Sequence, residues 1–123
     1  SEMCIRDRFN KGISLAALER NDEALECYDK AIQLDSNDEF VLYNKGVLLT
    51  DMQRKEEALE CYDKVLELEE RHFGALAGQG LVNIRLKNYE KAIKSYKKAQ
   101  KIYPSMKSPK IMIKEIEELK LEE

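Results

Sequence analysis

The octet EALECYDK occurs twice, at residues 23–30 and 57–64, and the copies start 34 residues apart. The same step connects Gly12, Gly46 and Gly80, then Ala24, Ala58 and Ala92, then Tyr28, Tyr62 and Tyr96, and finally Ala31, Val65 and Ala99. Ser36, Glu70 and Pro104 share a looser slot that closes each unit. A unit this short cannot hide its own apolar face, so copies must stack and bury one another. The period therefore narrows the fold to a stacked array before composition is considered.

Within a unit the apolar positions recur at helical spacing. Val41, Leu42, Leu48 and Leu49 give one stripe, and Leu59, Tyr62, Leu66 and Leu68 a second. Polar turns such as ERND (19–22), DSND (35–38) and KNYE (87–90) separate them, and Ser36 or Asp38 is placed to cap the next helix. The repeated Gly and the first Ala allow close approach of two antiparallel helices, and the tyrosines are expected to fill the space between hairpins. The whole chain, 43% hydrophobic and 37% charged over 123 residues, has the makeup of a helical domain.

The Gly–Ala–Tyr–Ala series at this period, with Pro104 in the closing slot, resembles the tetratricopeptide repeat across residues 5–106. The resemblance implies an all-α, right-handed solenoid of antiparallel helix–turn–helix units at 5–38, 39–72 and 73–106. Residues 107–123, with Ile113, Ile116 and Leu119 turned inward, are expected to form a C-terminal capping helix. Two departures stand out. Lys11, Lys45 and Gln79 occupy a slot that is often Leu, and Leu15, Leu49 and Asn83 one that is usually aromatic. Asn83 is expected to need a buried hydrogen-bond partner.

Residues 1–8 break the repeat, because Arg8 stands where Leu42 and Leu76 stand. Residues 3–8 are also what ATG-TGT-ATA-AGA-GAC-AGN encodes, the sequence of a transposase mosaic-end adapter. The expectation is a non-native or frayed leader on a truncated gene, with further repeats or a second domain missing.

The resemblance implies a concave groove lined by the first helices, where relatives bind peptides. Its lining would include Phe9, Asn10, Ile13, Phe40, Tyr43, Asn44, Val47, Gly74, Gly78 and Leu81, with Ala17, Asp51, Ala77 and Ile84 beside them. Asn10 and Asn44 offer donor and acceptor to a peptide backbone. Phe9, Phe40 and Tyr43 offer apolar anchors or else pack between hairpins. A family subclass grips the terminal carboxylate of chaperone tails with Lys, Arg and Asn; its slots here hold Phe9, Ile13, Asn44, Gly74 and Gly78, of which Asn44 alone fits. FGALAGQG (73–80) is glycine-rich for a helix, which predicts an irregular, weakly stable helix or a recess at Gly74 and Gly78 facing Phe40 and Tyr43.

Charge is uneven: net −3 for 5–38, −4 for 39–72, +6 for 73–106 and −1 for 107–123. Glu57, Glu60, Asp63 and Glu67 stand in slots matching Lys91, Lys94, Lys97 and Lys101; these pairs are expected to favour the stacking order, and the lysines are read as a solvated face in preference to a basic patch for an acidic partner or nucleic acid. The expected role is a non-catalytic interaction module or scaffold holding a peptide or partner helix. The alternatives are a structural fragment that self-associates through an exposed apolar N-terminal face, or a regulatory arm of a larger protein. No cofactor, metal, nucleic acid or membrane partner is expected. His72 is read as a solvated loop residue, and Cys4, Cys27 and Cys61, odd in number and without a CxxC pair, fit a reducing cytoplasm.

Overall fold

The computed structural model describes residues 2–122. They form seven helices and no strand: α1 (Glu2–Ala17), α2 (Asn21–Leu34), α3 (Glu39–Asp51), α4 (Lys55–Leu68), α5 (Phe73–Arg85), α6 (Tyr89–Ile102) and α7 (Ser108–Glu122). The segment expected as a leader is helical from Glu2, and Ile5 packs half-buried against the Leu15–Tyr28 cluster. Helices pair as α1/α2, α3/α4 and α5/α6, and each hairpin packs on the next in chain order. Successive first helices also touch, α1 on α3 and α3 on α5, which puts the first helices on the inner side of the curve.

The turn inside each hairpin repeats in its atoms. Arg20 N, Arg54 N and Asn88 N donate to the carbonyls of Leu15, Leu49 and Asn83, at 2.9, 2.9 and 2.8 Å. Glu19, Gln53 and Lys87 stand between, at φ of 60°, 62° and 62°. This is the hydrogen-bond pattern that ends a helix with one left-handed residue, a site where glycine is commonest. Here three non-glycine residues accept the strained conformation.

The repeated glycines make room for the repeated tyrosines. A Cβ on Gly46 would stand 2.8 Å from a Tyr62 ring carbon, and one on Gly12 would stand 2.6 Å from Tyr28. Each ring thus lies first against its own hairpin. Tyr62 does more, because a Cβ on Gly78 in the next hairpin would stand 2.5 Å from the same ring. Its hydroxyl meets Thr50 Oγ1 at 3.1 Å. Burial pushes Tyr62 up to about 12, with the Thr50 hydrogen bond acting the other way.

Register between hairpins comes from the slot that is polar in this chain. Lys45 Nζ meets Asp29 Oδ1 at 2.7 Å, and one repeat later Gln79 Nε2 donates to Asp63 Oδ1 at 2.8 Å. Asp29 and Asp63 are the aspartates of the two octets. The expected pairing of α4 carboxylates with α6 lysines does not form. Glu57 is held by Arg54, Glu67 by Lys64 and Asp63 by Gln79, all within shorter reach.

Helix α7 packs on α6 as a first helix without a second. Pro109 and Ile116 are buried at the positions where α5 buries Ala75 and Val82 and α3 buries Val41 and Leu48. Lys120 pairs with Glu90 of α6. Leu119, expected inside, is exposed, because it lies off the side of α7 that packs on α6, where Pro109 and Ile116 are buried. Leu68 is likewise exposed at the end of α4, whose buried stripe is Ala58, Cys61, Tyr62 and Val65.

Candidate functional site: the inner face of the first helices

Equivalent positions on α1, α3 and α5 carry Ile13, Val47 and Leu81, and all three are exposed, at 41%, 36% and 36%. Each thus leaves more than a third of its surface in water and forgoes that part of the burial energy such a side chain can gain. Three at one position of successive helices make a continuous ladder along the inner face. Phe40, on the first turn of α3, is 65% exposed beside it. Asp51 and Arg85 stand near the far end, where Arg85 Nη1 donates to the Thr50 carbonyl at 3.4 Å.

Between the first two hairpins the ladder borders a recess of about 140 Å³ lined by Ile13, Asn44, Val47 and Asp51 together with Ala16, Asn21, Tyr28 and Leu48. Three of the residues expected from the sequence, Ile13, Asn44 and Val47, meet here. Asn44 Nδ2 donates to the Phe40 carbonyl at 2.8 Å, which fixes the amide and leaves its oxygen and second N–H for a ligand. Asn10 is exposed on α1 at the matching position. Sequence reasoning missed Asn21 and Tyr28 because the floor of the recess comes from the second helix of the hairpin.

Of the other expected lining residues, Phe9, Tyr43, Gly74 and Gly78 are used in packing. Phe9 lies half-buried with its ring 6.0 Å from that of Tyr28, and Tyr43 stands in the same relation to Tyr62 at 6.1 Å. Phe40 is therefore the aromatic left for a partner. The recess expected at Gly74 and Gly78 is filled: the Tyr43 ring lies 2.9 Å from where a Gly74 Cβ would be, and the Tyr62 ring covers Gly78. Nor is α5 irregular, since it runs as one α-helix from Phe73 to Arg85. The glycines are there because two rings of the preceding hairpin press on the α5 backbone.

His72 is not a solvated loop residue. Its Nδ1 accepts from Ala75 N at 3.0 Å and caps α5, as Asp38 accepts from Phe40 N and Val41 N to cap α3. The two caps are 34 residues apart, a signal present in the sequence. The His72 ring also packs 4.9 Å from Tyr43. With Glu69, Arg71, Phe73, Gly74, Ile102 and Tyr103 it borders an open depression at the edge of the stack.

Asn83 has half of what it needs. It is 4% exposed, its Nδ2 donates to the Gln79 carbonyl at 2.9 Å, and its Oδ1 is buried without a partner. Cys61 is buried, which pushes its thiol up to about 11, and Cys27 is half-exposed. Among the described residues no group of three or more His, Cys, Asp or Glu could hold a metal ion. No described helix is long and apolar enough to cross a membrane.

An array of 34-residue helical hairpins stacked in chain order, with an apolar ladder on its inner face, defines an α-solenoid. The chain belongs to the tetratricopeptide repeat family, whose models match residues 8–38, 40–72 and 73–106. Solved structures agree in fold. The first such domain of Spaghetti (RPAP3), bound to an HSP90 peptide, superposes with a TM-score of 0.91 at 18% identity, covering 97% of this chain and 94% of that one. The second domain of human RPAP3, in complex with an HSP70 peptide, gives 0.87 at 19% identity over 94% and 97%. MamA gives 0.90 at 22% identity over 94% of this chain and 68% of its own. Curated protein sequences return no match.

Proposed function

We infer that this chain is a protein-interaction module that holds a segment of a partner protein against its inner face. The ladder of Ile13, Val47 and Leu81 carries the reading, because three aliphatic side chains at one repeated position each leave more than a third of their surface open on the inner face, and none belongs to a core cluster. The RPAP3 domains, alike in fold, are solved with chaperone peptides. This chain's inner face has different chemistry. The positions that would grip a terminal carboxylate hold Phe9, Ile13 and two glycines pressed by tyrosine rings, so there is no cation to receive it. The ligand that fits is an apolar segment with a backbone amide for Asn44.

Panning a random twelve-residue peptide library on the protein tests this. Enriched peptides should be rich in Leu, Ile, Phe or Met, and Val47→Asp should weaken them at least about tenfold, since it sets a charge in the middle of the apolar contact. Asn44→Ala should cost less. Enrichment of acidic-terminated peptides, or affinity unchanged by Val47→Asp, contradicts the reading.

We do not favour self-association through the N-terminal end. The positions of α1 that would meet a preceding hairpin hold Asp7, Asn10, Lys11 and Ser14, all exposed and polar.

A further inference from the structure

The outer helix of the third hairpin differs from its two counterparts. Lys91, Lys94, Lys97, Lys98 and Lys101 of α6 are all exposed, and none makes an ion pair among the described residues. The same positions of α4 hold Glu57, Glu60, Asp63, Lys64 and Glu67, and those of α2 hold Glu23, Glu26, Asp29, Lys30 and Gln33. The architecture thus accommodates a mixed face, with pairs such as Lys30–Glu26 and Lys64–Glu67, whereas α6 has Glu90 alone as a carboxylate, in its first turn and held by Lys120. Lys91, Lys94, Lys98 and Lys101 follow one another at steps of three and four residues, so they share one side of the helix and repel. Of the α4 carboxylates one repeat away, Glu57, Glu67 and Asp63 are held by Arg54, Lys64 and Gln79, and among the described residues Glu60 forms no ion pair with an α6 lysine.

We propose that the outer face of α6 is a second docking surface, for a short acidic segment of a partner protein in extended conformation. The lysines span ten residues, about 15 Å of helix rise, in steps of roughly 4.5–6 Å. Alternate side chains of an extended peptide stand roughly 6.6 Å apart, within reach of flexible lysine stems. Three features select this ligand. Ala92, Ile93, Tyr96 and Ala99 are buried, so the face has no apolar wedge for a bilayer. Within α6, Tyr96 is buried and Tyr89 half-buried, and the exposed Tyr103 at its C-cap packs edge-on against Phe73, so no run of exposed rings offers successive platforms for unpaired bases. The neighbouring α4 face is acidic and turns away a polyanion longer than one repeat. A second copy of this chain is a poor occupant, because two convex charged faces meet over little area and gain little per exposed pair. This surface lies on the second helices and is independent of the inner face.

The test is fluorescence anisotropy with a labelled twelve-residue peptide alternating Glu and Ser, measured at 50 and 200 mM salt. The expected result is binding that weakens several-fold with salt and at least about tenfold in Lys94→Glu/Lys98→Glu, with Val47→Asp binding as the parent does. Circular dichroism of the double variant should show the parent's helicity. Absence of binding at 50 mM salt, equal affinity of the double variant, or tighter binding of duplex DNA or of anionic phosphatidylserine vesicles overturns the proposal.

Discussion

In the second hairpin Leu49 is fully buried and Arg54 grips Glu57 through two hydrogen bonds of 2.9 and 2.6 Å. In the third, Asn83 stands for Leu49 with an unpartnered buried oxygen, and Asn88 stands for Arg54 with Lys91 where the carboxylate was. The third hairpin compensates with hydrogen bonds: Gln79 accepts from Ser95 Oγ at 2.8 Å while donating to Asp63, which links α6 through α5 to α4. The two hairpins show that one backbone plan tolerates an apolar brace in one unit and a polar one in the next. The polar brace is the weaker, because each hydrogen bond it gains replaces one to water.

The joint between them is the Tyr62 ring, and disturbing it should have the largest effect. Gly78→Ala drives a Cβ into a ring that is 2% exposed and cannot withdraw, so thermal unfolding should report a loss of about 2 kcal/mol or more. Gly74→Ala, against the half-buried Tyr43, should cost clearly less. Equal costs would mean that Tyr62 is not the joint.

Asn83→Leu gives the third hairpin the residue of the second and removes an unsatisfied oxygen. Denaturant unfolding should show a gain of about 1–2 kcal/mol. A loss would mean that the amide has a structural role beyond its bond to Gln79.

Alkaline titration distinguishes the hairpins by their buried acids. Cys61, raised from 9 to about 11, and Tyr62, raised from 10 to about 12, are both held neutral by burial in the second hairpin. A raised folded value stabilises below the unfolded one and is lost as pH climbs through the folded one. Stability should therefore decline from about pH 9 through 11 for Cys61, then to 12 for Tyr62. Cys61→Ser, which supplies the third hairpin's Ser95 residue type, should flatten the first part of that decline.

The smallest effect is expected at the turns. Gln53→Gly relieves a left-handed residue but adds freedom to the unfolded chain, so the net gain should stay below about 1 kcal/mol. The same change at Lys87 should match it if the two turns are as alike as their hydrogen bonds.

The hairpins and their order were legible because Gly12, Gly46, Gly80 and the three tyrosines mark the same slots, and a period survives without knowledge of any contact. Neighbour choice was not legible. Matching slots put Glu57 opposite Lys91, yet Arg54, three residues away on the same helix, reaches it first. The glycines of α5 pointed to something unusual, but a sequence does not say whether a missing side chain leaves space or receives a ring from another helix. Of the expected groove residues, Ile13, Val47 and Leu81 were legible as one repeated position. Phe9 and Tyr43 were not separable from Phe40 until Tyr28 and Tyr62 took them up.

The most direct test is an amide chemical-shift map of the protein titrated with an apolar peptide selected on it. The account predicts that the shifted amides cluster around Asn10–Ala17, Asn44–Asp51 and Gly78–Ile84 on α1, α3 and α5, with smaller shifts at Asn21 and Tyr28 on the recess floor and with α4 and α6 quiet. Shifts concentrated on the second helices, or at the edge depression near His72 and Tyr103, would contradict it.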